Sequence, residues 1–395
     1  MSRHSREKVR KLFSPSDKKA FNKFYNRGWY FRESNMLSRA VSEWERALKL
    51  CPDHKDLKLE LGIAYIESGK YSQGLKILSP LTKDMPDEAE LFFYIGVAYF
   101  EKGKFLKALR NWKRASNLLP EDLDIRLCLA EAEMELGHTK KAAENLDFIL
   151  SREPGNIEAL NLRGMLCLCK GEHRKAIELL RHSTKLYPNV SRGHINLGIA
   201  LMCTGWLDSA LMEFRRAKKL APDDPDALYN LAHVLAWKGR WDESISLLEK
   251  SISVEPDIIE AYVLLGNLLM VQNRLKDALK ILKRAIRRFP DVPECFASLG
   301  LLYWKMGEDR KAFKALDRAV SFGYHNPLIH ITLGRLYLKR GELDSAYRQG
   351  ISALDLEPRS VEAKNFLDEV LKAKVKMKNS KKFPSRGVQL KFPIE

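Results

Sequence analysis

A proline recurs every 34 residues along most of this chain, and this spacing limits the folds available to it. The series runs unbroken from Pro52 to Pro290, Tyr324 takes the next place, and Pro358 resumes the spacing. A fixed period of this length indicates a repeat protein, in which each repeat is one supersecondary unit that packs on its neighbours. With the proline at position 32 of the repeat, ten repeats occupy residues 21–360.

Three other positions of the repeat indicate that each unit is a pair of helices. Positions 8 and 20 carry only Gly, Ala or Ser in all ten repeats, as expected where two helices approach closely. Position 15 is Gly in eight repeats and Asn in the other two, Asn35 and Asn273, and these residues tolerate the left-handed conformation that ends a helix. The pattern predicts a helix over positions 1–14, a turn, and a second helix to about position 29.

Two repeats show the whole pattern. The first contains Gly28, Ala40, Trp44, Ala47 and Pro52, and the third contains Gly96, Tyr99, Ala108, Trp112, Ala115 and Pro120. This pattern resembles the tetratricopeptide-repeat (TPR) family over nearly the whole chain. The resemblance implies an all-α fold, a right-handed superhelical α-solenoid of helix–turn–helix repeats. The ten repeats are 21–54, 55–88, 89–122, 123–156, 157–190, 191–224, 225–258, 259–292, 293–326 and 327–360.

Some residues depart from the pattern, and the ends of the chain lie outside it. Arg27 and Arg163 stand at the otherwise apolar position 7, and Gly350 stands at position 24, so we expect looser packing in those repeats. Residues 361–374 are predicted to form a capping helix, because Asp368 at position 8 would not accept another helix pair.

The net charge of +17 lies mainly at the two ends. Residues 1–20 hold seven Lys/Arg against two acids, and residues 375–395 hold six against one, so these ends supply +10 of it. We expect a basic N-terminal segment and a basic, flexible C-terminal tail. There is no apolar run long enough to span a membrane, and the six cysteines have no paired spacing, so we expect buried thiols and a cytoplasmic location.

By resemblance to the family, positions 2, 5, 9, 12 and 13 of the first helix face a concave groove in which partner peptides lie. Position 13 changes character along the chain, from acidic through apolar to basic: Glu33, Glu67, Glu101, Glu135, Cys169, Cys203, Trp237, Val271, Lys305 and Lys339. The four glutamates are interpreted either as an acidic groove patch for a basic partner or as partners of nearby lysines such as Lys70, Lys102 or Lys104. Position 12 is apolar in nine repeats, and this stripe belongs either to the core or to the groove.

A carboxylate clamp is partly present in the last three repeats. Chaperone-binding members of the family grip a terminal carboxylate with five residues; Asn267 matches, Arg335 and Lys339 keep the charges, and Val263 and Ser298 differ. A partner with a C-terminal carboxylate or an acidic segment at repeats 8–10 is therefore one hypothesis. The candidate groove residues are Met202, His233, Trp237, Asn267, Met270, Ser298, Trp304, Lys305, Arg335 and Lys339.

No pattern of a catalyst is found. The nine histidines show no metal-ligand spacing, there is no phosphate-binding loop or dinucleotide fingerprint, and neither an enzyme activity nor a cofactor is expected. A thiol–imidazole pair of Cys169 or Cys203 with His233 is disfavoured against core-like thiols. The predicted function is a protein-interaction scaffold or adaptor. The alternative is binding of nucleic acid or an anionic membrane through the basic tails, which the acidic first half of the groove disfavours.

Overall fold

A computed structural model describes the backbone of residues 15–382 and the side chains of residues 16–377. Within that part of the chain the secondary structure is 21 α-helices without a β-strand. The helices are α1 (Pro15–Glu33), α2 (Leu37–Leu50), α3 (Lys55–Glu67), α4 (Tyr71–Leu81), α5 (Ala89–Phe100), α6 (Phe105–Leu118), α7 (Leu123–Glu135), α8 (Thr139–Arg152), α9 (Ile157–Cys169), α10 (His173–Leu186), α11 (Ser191–Cys203), α12 (Leu207–Leu220), α13 (Pro225–Trp237), α14 (Trp241–Val254), α15 (Ile259–Val271), α16 (Leu275–Arg288), α17 (Pro293–Lys305), α18 (Asp309–Ser321), α19 (Pro327–Lys339), α20 (Leu343–Leu356) and α21 (Val361–Lys382).

The helices form two compact units, α1–α10 before residue 188 and α11–α21 after it. Within each unit the two helices of a repeat pack on each other, and the second helix packs on the first helix of the following repeat. The fold is therefore all-α, with helix pairs stacked in chain order. None of the helices in residues 15–382 combines the length and apolar character needed to cross a bilayer.

The chain ends differ from expectation where they can be described. Helix α1 begins at Pro15, six residues before the predicted start of the first repeat. Helix α21 continues to Lys382, so residues 375–382 are helical rather than part of a flexible tail. The remainder of the predicted basic segments, 1–14 and 383–395, lies outside the described residues.

The turn between the two helices of a repeat uses the left-handed conformation at position 15. Gly69 has φ 75°, and the next N–H, that of Lys70, donates to the carbonyl of Tyr65 at 2.8 Å. Asn273 reaches φ 62° in the equivalent place, and Arg274 N–H donates to the carbonyl of Leu269 at 2.8 Å. Asparagine thus makes the same helix-ending hydrogen bonds that glycine makes elsewhere, as its tolerance of this conformation predicts.

The small residue at position 8 receives the large residue at position 24 of the same repeat. A Cβ added to Gly96 would lie 2.3 Å from Nε1 of Trp112, and one added to Gly28 would lie 2.2 Å from Nε1 of Trp44. Both indoles are buried, so the first helix can approach the second only where position 8 has a small side chain.

The predicted loosening at Arg163 is not observed. Its side chain is buried and donates from Nε and Nη2 to the two carboxylate oxygens of Asp147, at 2.7 and 3.2 Å. Its apolar stem therefore packs where leucine stands in other repeats, while the charge is paired. Arg27 turns outward instead, with Nε 3.6 Å from the Glu43 carboxylate.

The predicted loosening at Gly350 is not observed either. Phe366 of the last helix takes the place of the missing position 24 side chain. Its ring is 1% exposed, and a Cβ on Gly334 would meet it at 2.4 Å. A Cβ on Gly350 would meet Leu367 at 2.8 Å. Helix α21 therefore contributes side chains to the apolar core of the last repeat, while Asp368 remains exposed.

Candidate protein-binding site

All ten residues at position 13 are exposed, at the C-terminal end of the first helix of each repeat. The side chains at position 12 are less exposed: Ile66 is buried, whereas Met202, Met270 and Trp304 are half-buried. The apolar stripe is therefore partly core and partly accessible surface. Cys169 and Cys203 are exposed, so the expectation of core-like thiols is wrong for these two, and it is right for Cys167 and Cys295, which are buried.

The glutamates of the first unit do not pair with the lysines proposed for them. Glu67 accepts from Arg32 Nη2 at 3.4 Å and from the Tyr94 hydroxyl at 3.0 Å. Glu101 accepts from the hydroxyl of Tyr71 at 3.3 Å. Burial, followed by the Glu67 charge, raises the pKa of Tyr94 to about 12. These partners lie on other helices, so the sequence next to each glutamate does not reveal them.

Three further acids of the first unit lie near these glutamates, and two of them, Glu60 and Glu131, are half-buried. Burial raises the pKa of Glu60, whose carboxylate is paired with Arg32, and burial likewise raises the pKa of Glu90. Burial is also the main reason why the pKa of Glu131 is raised, and the charges of Glu101 and Glu135 raise it further. These shifts disfavour the ionised form of the three carboxyl groups in the folded chain. The repeat pattern did not single out Glu60 or Glu131.

A ladder of three rings follows one face of α13 in the second unit. The ring centroids of Tyr229 and His233 are 5.8 Å apart, and those of His233 and Trp237 are 5.7 Å apart with perpendicular planes. Their spacing of four residues places them on one side of the helix. The Trp237 side chain at the end of the ladder is 61% exposed. Burial lowers the pKa of His233, which favours its neutral form.

A cavity of about 400 Å³ lies beside the first ring of this ladder. Its wall is mainly aliphatic, with one amide and two carboxylates: Tyr229, Ile259, Glu260, Val263, Leu264, Asn267, Val292 and Glu294. Asn267, predicted as part of a carboxylate clamp, therefore lines an apolar cavity that carries negative charge. Such surroundings favour an apolar side chain with a cation next to it.

The predicted cations of the last repeats already have partners within the chain. Lys339 Nζ lies 2.8 and 3.1 Å from the carboxylate oxygens of Asp309, and Arg335 Nη2 lies 3.9 Å from Glu362. Lys305 Nζ donates to the carbonyl of Met270 at 2.5 Å. Ser298, one of the two departures from the clamp pattern, is buried. A carboxylate arriving here would have to compete with these contacts.

Metal and thiol chemistry find no support among the described residues. No group of three or more His, Cys, Asp or Glu side chains is placed to hold a metal ion in that part of the chain. Burial raises the pKa of the Cys128 thiol to about 12 and that of Cys295 to about 11, which disfavours their thiolates.

Stacked helix pairs with exposed side chains along the first helices define a helical repeat protein of the kind that binds other proteins. Models of the family described as tetratricopeptide repeat match residues 31–92, 127–191, 195–256 and 238–302. The chain belongs to the tetratricopeptide-repeat family. A search of curated proteins found no significant match.

Solved structures share the fold. A chain from the crystal structure of the APC/C hetero-tetramer Cut9–Hcn1 superimposes with a TM-score of 0.60 at 15% identity, over 88% of this chain and 75% of that one. A tetratricopeptide-repeat protein from Parabacteroides merdae ATCC 43184 gives a TM-score of 0.50 at 18% identity, over 63% of this chain and 98% of that one. Identities this low establish the architecture alone.

Proposed function

We propose that the chain is a protein-interaction scaffold whose second unit binds a partner peptide on the first helices of repeats 7–9. The observation that carries the proposal is the Tyr229–His233–Trp237 ladder, which runs from the cavity to an exposed indole. Aromatic side chains that offer large contact area are the commonest energetic centres of protein interfaces. Exposing a tryptophan to this extent without a partner leaves apolar area in water.

The lining of the cavity defines the peptide that fits. Val263 and Leu264 offer an aliphatic wall to an apolar side chain, and Asn267 offers an amide to the peptide backbone. Glu260 and Glu294 have no cation within 4.0 Å among the described residues, so they favour Lys or Arg beside the apolar residue. Met270 and Trp304, both half-buried, would extend the contact along the neighbouring first helices.

A carboxylate or acidic segment at repeats 8–10 is the second element of the proposal. Lys305, Arg335 and Lys339 supply the cations, and each would exchange an internal contact for one with the partner. Because losing the internal contact offsets part of the binding free energy, we expect these cations to contribute less to the affinity than the ladder and the cavity. The acidic patch of Glu33, Glu67, Glu101 and Glu135 would favour a basic segment on the first unit by the same charge argument.

The test is the affinity of peptides selected by display on the full chain. Trp237→Ala should weaken the selected peptide by roughly tenfold or more, as at an interface hot spot. Trp241→Ala is the matched control, because this indole is 40% exposed but begins the second helix of the same repeat. It should change the affinity by less than about twofold. Equal losses in the two variants, or none in Trp237→Ala, would refute the proposed site.

A further inference from the structure

Helix α16 concentrates positive charge on the second helix of repeat 8, away from the proposed peptide site. Between Arg274 and Arg288 there are seven Lys or Arg and a single acid, Asp277. Arg274 pairs with Asp277 at 2.9 Å, and Arg288 pairs with Asp257 at 2.6 Å. The other five cations have no carboxylate within 4.0 Å among the described residues.

These five side chains form one face of the helix, called here the cationic face: Lys276, Lys280, Lys283, Arg284 and Arg287. Each member is three or four residues from at least one other member, which is the spacing of neighbours on a helical surface. All five are exposed, while the opposite, apolar side of the helix is buried in the core of the repeat.

Helix electrostatics explain only part of this face. Arg287 lies in the last turn, where the helix dipole favours a cation. Lys276 lies in the first turn, where the same dipole disfavours one, and Lys280 and Lys283 repel each other one turn apart. Arg284 lies over the Tyr262 ring, 5.5 Å from its centroid, and Arg287 Nε donates to the carbonyl of Lys283 at 3.3 Å, but neither contact neutralises charge. An accumulation of like charge that costs the folded chain stability, without carboxylate partners, indicates a surface shaped by an external anion.

The positive charge extends into repeat 9 and ends there. Arg310 and Lys314 stand at the repeat positions of Lys276 and Lys280, are exposed, and have no ion-pair partner in the described part of the chain. The second helices on either side are net acidic: repeat 7 has Asp242, Glu243 and Glu249 against Lys250, and repeat 10 has Asp344 and Asp355 against Arg348. Two of these acids are paired within the chain, Glu243 with Arg240 and Asp344 with Lys374. The anion therefore faces a positive surface only two repeats wide.

We propose that the cationic face binds a short acidic polypeptide segment. A long polyanion such as a nucleic acid would run on to the acids of repeats 7 and 10 and be repelled there. No large apolar side chain of α16 is exposed, so the face offers neither an anchor for a bilayer nor a ring for base stacking. The face extends about 16 Å along the helix, and a partner helix with Glu at i, i+4, i+7 and i+11 repeats the same spacing.

The probe is a synthetic helical peptide about three turns long with Glu at those spacings, titrated into the full chain. Lys276→Glu, Lys280→Glu and Lys283→Glu are combined in the face variant. The control combines Lys140→Glu, Lys175→Glu and Lys185→Glu, which changes the net charge equally at exposed lysines of the first unit. The face variant should bind at least about tenfold more weakly, the control less than about threefold, and the affinity should fall as salt is raised.

Three other outcomes would overturn the proposal. Equal losses of affinity in both variants would show that the loss arises from the change in net charge alone. An unchanged affinity in the face variant would show that the peptide binds elsewhere. Tighter, face-dependent binding of an RNA duplex or of phosphatidylserine vesicles would identify a phosphate anion instead. Should circular dichroism show the face variant unfolded, Lys280→Gln with Lys283→Gln gives the same comparison with a smaller expected loss. Trp237→Ala should leave this binding unchanged, because that residue lies on another helix.

Discussion

The indole nitrogen of Trp112 donates a hydrogen bond to the carbonyl oxygen of Phe93 at 3.0 Å, across the two helices of the third repeat. Trp44 makes the same bond to the carbonyl of Tyr25 in the first repeat, at 3.3 Å. The bond satisfies a buried polar group and holds the ring over the glycine at position 8, so the helix pair has one preferred packing arrangement.

Gly96→Ala should therefore destabilise the first unit. The added Cβ would lie 2.3 Å from Trp112 Nε1, so the indole must move and its hydrogen bond weaken. We expect a loss of about 1–3 kcal/mol, as for overpacked cores, measured by urea unfolding. Gly155→Ala is the control, since its Cβ would meet Leu186 at an ordinary 3.6 Å. A loss at Gly96 no larger than at Gly155 would contradict the close-packing account.

Phe366→Ala should loosen the last repeat. The ring is buried against Gly334, and its removal leaves a cavity where no position 24 side chain stands, because that position is Gly350. Truncation of a buried phenylalanine costs about 3–5 kcal/mol. Hydrogen exchange should accelerate first in α19–α21. Leu371→Ala, on the exposed side of α21, should leave exchange unchanged, and matching effects of the two would argue against a capping role.

Glu131→Gln should stabilise the first unit at neutral pH. Burial raises the pKa of the Glu131 carboxyl above its unfolded value, so the folded state holds this proton more tightly than the unfolded chain does. The associated stability is present below the unfolded pKa and is lost as pH rises through the folded pKa. Urea midpoints of variant and native chain should therefore differ most near pH 7 and converge in acid. Glu144→Gln, at an exposed position of α8, should show no such pH dependence.

The repeat positions predicted the helical pairing, the turns and the family, because each of these depends on residues within about 34 positions. Asn273 is an example, since its left-handed φ follows from its place in the repeat. Contacts between repeats were not predictable in the same way. Two examples are the pairing of Arg163 with Asp147 and the insertion of Phe366 beside Gly334. Each depends on which neighbouring side chain faces a residue that departs from the repeat pattern.

The candidate site, too, was predictable only in part from the repeat positions. Trp237 was identified from its repeat position, and the structure finds it exposed at the end of a ring ladder. The engagement of Lys339 by Asp309 and of Glu67 by Tyr94 was not foreseen, because both partners lie on neighbouring helices. The charge at a groove position therefore predicted the location of a candidate site. The contacts that this charge makes with neighbouring helices determine how much of it is available to a partner.

Site-specific cross-linking locates a bound peptide on the second unit. A photoreactive amino acid replaces His233 on α13 or, in a second chain, Trp241 on α14, and each chain is irradiated with a display-selected peptide. We expect a strong cross-link from position 233 and little from position 241, because the peptide should lie along the ring ladder and the cavity. A cross-link from position 241 with none from position 233 would contradict it.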